Sequence, residues 1–198
     1  RKLKQVDREK KTQRKSRRAV YKVALIGYTN AGKSTFLAAV TRARPKIAEY
    51  PFTTIHPNLG VGYVDGEELI IADIPGLIQG AHEGAGLGDR FLGHIERCSV
   101  LLHLVDGTEE TPVANYRTVR RELEAYDADL SGKTELVSLS KCDALNDQLI
   151  EDRKSLLEDE TGKPILITSS VAGIGLNETL GHLISEVMRN CTVEESVQ

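Results

Sequence analysis

Gly27-Tyr28-Thr29-Asn30-Ala31-Gly32-Lys33-Ser34 is the stretch on which the fold turns. It is a complete G-x-x-x-x-G-K-[ST], preceded by the β-rich run Val20–Ile26 and followed by a helical pattern through Phe36, Leu37 and Val40. Strand, glycine loop and helix in that order form a phosphate cradle. The glycines let backbone N–H groups turn inward, the helix N-terminus adds its dipole, Lys33 reaches the β- and γ-phosphates, and Ser34 offers a hydroxyl to Mg²⁺. A chance match in a chain of this length has odds on the order of one percent. The stretch therefore predicts nucleotide binding, with Thr35 closing the loop.

Outward from the loop, turn signals and β-rich runs alternate with helical periodicity. Strands are expected at Leu59–Val64 and Glu68–Ile74, joined by the hairpin dipeptide Asp65-Gly66. Further strands fall at Val100–Val105, Glu135–Leu139 and Ile165–Thr168. Helices fall at Asp89–Arg97, Pro112–Tyr126, Asp147–Glu160 and Leu176–Met188. The alternation predicts an α/β fold of the P-loop NTPase type: a six-stranded, mainly parallel sheet with one antiparallel strand and helices on both faces.

The 198 residues suit one such domain and carry a net charge of −3. Residues 1–18 hold ten Lys/Arg against Asp7 and Glu9, a local +8, which leaves −11 on the rest. The expected organisation is a basic leader over 1–19, helical or disordered, a domain over 20–190, and a tail over 191–198. No apolar run approaches the roughly 20 residues of a membrane span. Three scattered cysteines argue against a disulfide scaffold and for a cytoplasmic setting. The absence of an initiator methionine suggests a fragment.

Four more loops offer chemistry at expected strand ends. Phe52-Thr53-Thr54-Ile55-His56 is a proline-flanked loop in which Thr54 could return to the magnesium, although Thr pairs in loops usually serve turns. Asp73-Ile74-Pro75-Gly76 places a carboxylate for a water-mediated Mg²⁺ contact and an N–H for a γ-phosphate. In Ser140-Lys141-Cys142-Asp143, Asp143 could accept two hydrogen bonds from guanine and the Lys141 stem could cover the base. Adenine has no such donors on that edge, although a strand-end Asp can also simply cap a helix. Ser169-Ser170-Val171 offers backbone N–H groups to the guanine oxygen. All five loops belong on one edge of a parallel sheet, where ligands of such sheets bind.

Ile47–Thr54, His56-Pro57-Asn58-Leu59-Gly60, Asp73–Ile78 and the run Gly80–Gly88 with Phe91-Leu92 and His94–Arg97 together resemble the G domain of the Obg family of GTPases over about residues 36–190. The leader and the Gly27–Thr35 loop resemble the sister HflX family. The resemblance implies GTP hydrolysis and a nucleotide switch acting in large-subunit ribosome assembly or translation, with the ribosomal large subunit or rRNA as partner, by a monomeric protein. It implies Ser34 and Thr54 as Mg²⁺ ligands, Lys33 and Thr54 as catalytic residues, Phe52–His56 as switch I, and Asp73–Gly76 as the start of switch II. Ser140, Lys141 and Asp143 would read guanine, and Ser169–Val171 would complete the base pocket.

Three positions qualify that reading. Ser140 stands where the family motif has Asn, so a weaker base grip and a weaker tether to the phosphate loop are expected. Leu77 stands where Ras-like enzymes carry a water-orienting Gln, so hydrolysis should be slow. Asn30 is a candidate to coordinate K⁺, or simply a loop residue tolerant of unusual backbone angles. A binding module with negligible turnover and a P-loop small-molecule kinase are the competing classes. Asp143 argues against the kinase.

Overall fold

In the computed structural model, residues 21–41, 58–64, 66–73, 98–126 and 132–196 are described. Six strands form one sheet: β1 (Tyr21–Ile26), β2 (Asn58–Val64), β3 (Glu67–Asp73), β4 (Val100–Asp106), β5 (Thr134–Ser140) and β6 (Ile165–Ile167), in the order β2-β3-β1-β4-β5-β6. All neighbours are parallel except β2 and β3, an antiparallel hairpin in register from Asn58↔Asp73 to Val64↔Glu67. The expected sheet is the observed one. Chain order reverses around β1, which lies between β3 and β4, and this opens a crevice at the carboxyl ends of the strands.

Alternation along β1 supplies both faces of the sheet. Val23 and Leu25 join Leu69, Ile71, Leu102 and Leu104 beneath α1 (Lys33–Val40) and α4 (Leu176–Ser196), which contribute Phe36, Leu37, Leu183 and Val187. Ala24 and Ile26 face the other way, toward Leu101 and toward Val119 and Leu123 of α2 (Pro112–Tyr126). The same side continues through Val137, Leu139 and Leu157, the last from α3 (Asp147–Thr161). Central strand β4 is buried at every position, so it reads as a continuous apolar run interrupted by His103. Phe36, fully buried at the start of α1, stabilises the phosphate-loop end by about 1.5–3 kcal/mol.

Local signals set the helix ends. Asn146 caps α3 by accepting from the Leu149 N–H at 2.8 Å, and Gly162 ends that helix in the left-handed region at φ 65°. The last helix runs through Ser196, beyond the expected stop at Met188. Nothing in Arg189–Ser196 breaks a helix, since the stretch lacks Gly and Pro; residues 191–196, expected as tail, are helical. The basic leader and the expected helix Asp89–Arg97 lie outside the described residues.

Candidate nucleotide site

The loop after β1 is shaped by two glycines for different reasons. Gly27 passes so close to β4 that a Cβ would strike the Leu104 carbonyl oxygen, whereas Gly32 has open space among the described residues but takes φ 92°. Asn30 takes φ 63°, a left-handed conformation that Asn tolerates better than most residues. That backbone demand accounts for Asn at this position by itself. The Lys33 ammonium donates to the Gly27 and Tyr28 carbonyls at 2.8 and 3.0 Å, holding the loop closed around it. Burial pushes its pKa below the usual lysine range, with the Asp73 carboxylate opposing that shift.

Across the crevice, the Ser34 hydroxyl donates to Asp73 Oδ2 at 2.5 Å. Ser34 opens α1 and Asp73 ends β3, so two elements 39 residues apart converge here. Asp73 is 3% exposed, and its Oδ1 is buried with no hydrogen-bond partner among the described residues. An orphaned carboxylate oxygen beside a serine hydroxyl is a hard-oxygen donor pair of the kind Mg²⁺ takes. The residues present fit that ion.

The far end of the crevice is built from β5 and β6. Ser169 Oγ donates to Asp143 Oδ1 at 2.5 Å and accepts the Ala172 N–H at 3.0 Å. Paired backbone bonds between Ser169 and Ile174, both at 3.0 Å, fix the loop that holds it. Cys142 is buried, and its N–H donates to the Thr168 carbonyl at 3.2 Å. Burial, followed by the Asp143 charge, pushes its thiol pKa up, in keeping with a packing role. Val171 is 83% exposed at the outer rim.

The Ser140 hydroxyl corrects one expectation. It is buried, lying 2.8 Å from the Ala31 carbonyl and 3.1 Å from that of Val105, as donor to both. The tether to the phosphate loop, expected to weaken for want of reach, is made. Ala31 packs against the end of the sheet closely enough for a short side chain to span the gap. A single hydroxyl proton shared between two carbonyls leaves no donor for a base.

Sequence reasoning missed the Asp106-Gly107-Thr108 turn after β4. Asp106 Oδ2 accepts from Lys141 Nζ at 2.5 Å, while Oδ1 accepts the Thr108 N–H at 2.8 Å and its hydroxyl at 2.7 Å. Burial pushes the Asp106 carboxyl up, but Lys141 and Thr108 outweigh it and the net shift is downward. Lys141 takes φ 61°, so its stem is held by this ion pair in a strained backbone. Gly107 presses on the Ser140 carbonyl, which accepts its N–H at 2.9 Å. The signal was a strand-end Asp-Gly, read only as the end of an apolar run.

The structure thus gathers Gly27–Thr35, Asp73, Ser140–Asp143 and Ser169–Val171 on one edge of the sheet. Phe52, Thr53, Thr54, Ile55, His56, Ile74, Pro75, Gly76 and Leu77 lie outside the described residues.

Residues 22–141 match the family model described as 50S ribosome-binding GTPase. The chain is 54% identical over 168 residues to GTPase Obg of Rickettsia massiliae (strain Mtu5), covering 85% of this chain and 51% of that protein. It therefore spans about half the length of that curated relative. The solved G domain of the T. maritima FeoB iron transporter superimposes with TM-score 0.61 at 21% identity, over 84% of this chain and 98% of that one. The cytosolic domain of the same transporter in its GMPPNP form gives TM-score 0.62 at 20% identity, over 85% and 64%. At such identities these two likenesses speak for the fold alone.

Proposed function

The chain belongs to the 50S ribosome-binding GTPase family and carries an Obg-type G domain, and from that premise we propose a magnesium-dependent GTP hydrolase whose nucleotide state gates contact with the large ribosomal subunit or its rRNA. The observation that carries guanine rather than adenine is the Asp143 carboxylate, aimed by Ser169 at 2.5 Å and joined through Ser140 to the phosphate loop. A carboxylate so placed accepts from the two guanine N–H donors, which adenine does not offer on that edge.

The roles follow from the contacts. Lys33 exchanges the Gly27 and Tyr28 carbonyls for β- and γ-phosphate oxygens. Ser34 and Thr54 hold Mg²⁺, and the Asp73 oxygens orient its shell. The ion supplies positive charge to the phosphate oxygens as the transition state develops. Water attacks the γ-phosphorus, the bond to the β-phosphate oxygen breaks, and the water's proton leaves with inorganic phosphate. Phe52–His56 and Asp73–Gly76 form the switches, gaining contacts in the GTP state that GDP does not offer. With Leu77 at the water-orienting position, intrinsic turnover is slow; K⁺ near Asn30 would supply further charge, tested by comparing hydrolysis in K⁺ and Na⁺. The domain is residues 20–190 behind the leader, acting as a cytoplasmic monomer.

Leu77 also favours a second reading, a nucleotide-sensing module that turns over only when a partner completes the site. Phosphate release by the isolated protein separates the two. The guanine assignment is tested by Asp143→Asn, which should lose GTP affinity and gain xanthosine triphosphate, because xanthine presents a carbonyl where guanine has its amino group. A variant that still prefers GTP would refute it.

A further inference from the structure

Away from the nucleotide edge, the turn end of the β2–β3 hairpin and the flank of α4 enclose a groove of about 450 Å³. Val64, Ile184 and Met188 supply its apolar lining, with Glu67, Glu178 and His182 alongside. Met188 is 39% exposed although methionine is mostly a core residue. Gly181, inside α4, also lines the groove, and a Cβ there would meet none of the described residues within 4 Å. Glycine inside a helix costs about 1 kcal/mol relative to alanine, and no close approach among the described residues requires it here. Its effect is to keep the groove open.

The groove lies where β1 begins. Tyr21 is in register with Leu69, two residues along β3 from Glu67, so the leader joins the domain beside the groove's acidic side. The leader carries +8 and the remainder of the chain −11. Its few apolar residues include Leu3 and Val6, at the spacing that puts two side chains on one face of a helix. We propose that the leader, residues 1–18, docks into this groove, with Leu3 and Val6 over Val64, Ile184 and Met188 and its cations against Glu67 and Glu178. Reach is not limiting: the chain from Val6 to Tyr21 covers roughly 1.5 Å per residue as helix and up to about 3.3–3.6 Å per residue when extended. Exposed ion pairs contribute only about 0–1 kcal/mol each. Tethering compensates, because a short linker holds the leader at an effective concentration in the ~mM range.

Zero-length carbodiimide crosslinking of the full chain tests this. Light and heavy isotope-labelled protein are mixed equally, and links from Lys2, Lys4, Lys10, Lys11 and Lys15 are mapped by mass spectrometry. Docking predicts links to Glu67 and Glu178 within one chain, falling several-fold from about 0.1 M to about 1 M salt as the Debye length shrinks from ~10 to ~3 Å. Gly181→Leu should fill the groove and reduce those links several-fold without lowering the melting temperature, because leucine is the better helix former. Links spread evenly over other exposed carboxylates, links between light and heavy chains, or links unchanged by Gly181→Leu would each overturn the proposal. So would a leader that links to no carboxylate but photocrosslinks to an added RNA oligonucleotide, which would assign it to nucleic acid.

Discussion

Two of the polar clusters in this apolar sheet are finished to different degrees. Under α2, the buried Glu135 accepts from Tyr116 at 3.2 Å, lies 3.0 Å from His103 Nδ1, and has Arg120 and Lys163 at 3.7 and 3.5 Å. His103 and Tyr116 also stack, with ring centroids 4.8 Å apart. Every charge there is answered from within the chain. At the crevice, Asp73 keeps one buried oxygen without a partner among the described residues, and Lys33 spends its ammonium on loop carbonyls that can be exchanged for phosphate. A buried carboxylate with cations nearby thus builds a rivet in one place and an acceptor for ligands in the other. What separates them is whether the protein completes the hydrogen bonding itself.

The contrast breaks most readily at Glu135. Glu135→Ala strands a buried histidine and a tyrosine hydroxyl and takes a carboxylate away from Arg120 and Lys163, and should cost about 3–5 kcal/mol in denaturant unfolding. Replacing both His103 and Glu135 with leucine should recover much of that loss, since an apolar pair needs no partners. Loss of nucleotide affinity out of proportion to stability in either variant would show that the cluster is not purely structural.

Asp73→Asn is the complementary case. The carboxylate is incomplete in the protein alone, so stability should change little while Mg²⁺-dependent GTP affinity falls by about 10–100-fold, the usual cost of disturbing an ion's supporting shell. Calorimetry with and without magnesium checks both halves. Affinity that stays magnesium-dependent and undiminished would refute the ion assignment. A smaller effect is expected from Ser140→Ala, which leaves the Ala31 carbonyl without its donor. One hydrogen bond is worth about 0.5–1.5 kcal/mol, roughly three- to tenfold in GDP affinity.

The least effect should be a gentle pH dependence of stability. Burial holds the His103 pKa below its ordinary value of 6.5, against the pull of Glu135. Glu135 is pushed up by burial but drawn below its ordinary 4.5 overall by His103 and the neighbouring cations. Both groups bind protons more readily when unfolded. Stability is therefore full above about pH 6.5 and declines as pH falls, first through histidine and then through the carboxylate. His103→Gln should remove the upper part of that decline, and an unchanged profile in chemical denaturation would argue against it.

Legibility in the sequence followed locality. The Gly27–Ser34 loop, the β2–β3 hairpin and the alternating elements are set by neighbours in sequence, and they were readable with most strand ends within a residue. Contacts across the sheet were not. The Ser140 tether depends on how near Ala31 comes in space, and no spacing along the chain reports that distance. Asp106 was hidden because a strand-end carboxylate gains meaning only when Lys141, 35 positions later, folds back onto it. The length of α4 was misjudged for a different reason, since its periodic face fades at Met188 while nothing stops the backbone.

One hydroxyl has a consequence for the order in which parts of a nucleotide are recognised. Because Ser140 joins β5 to the Ala31 carbonyl, the strand that presents Asp143 and the loop that cradles phosphate are mechanically one piece. Filling either half should stiffen the other, and the coupling must be equal in both directions. Guanosine and pyrophosphate offered as separate molecules should then bind with positive cooperativity, each raising the other's affinity by the same factor. Cutting the joint with Ser140→Ala should return them to independent tenants of the same crevice.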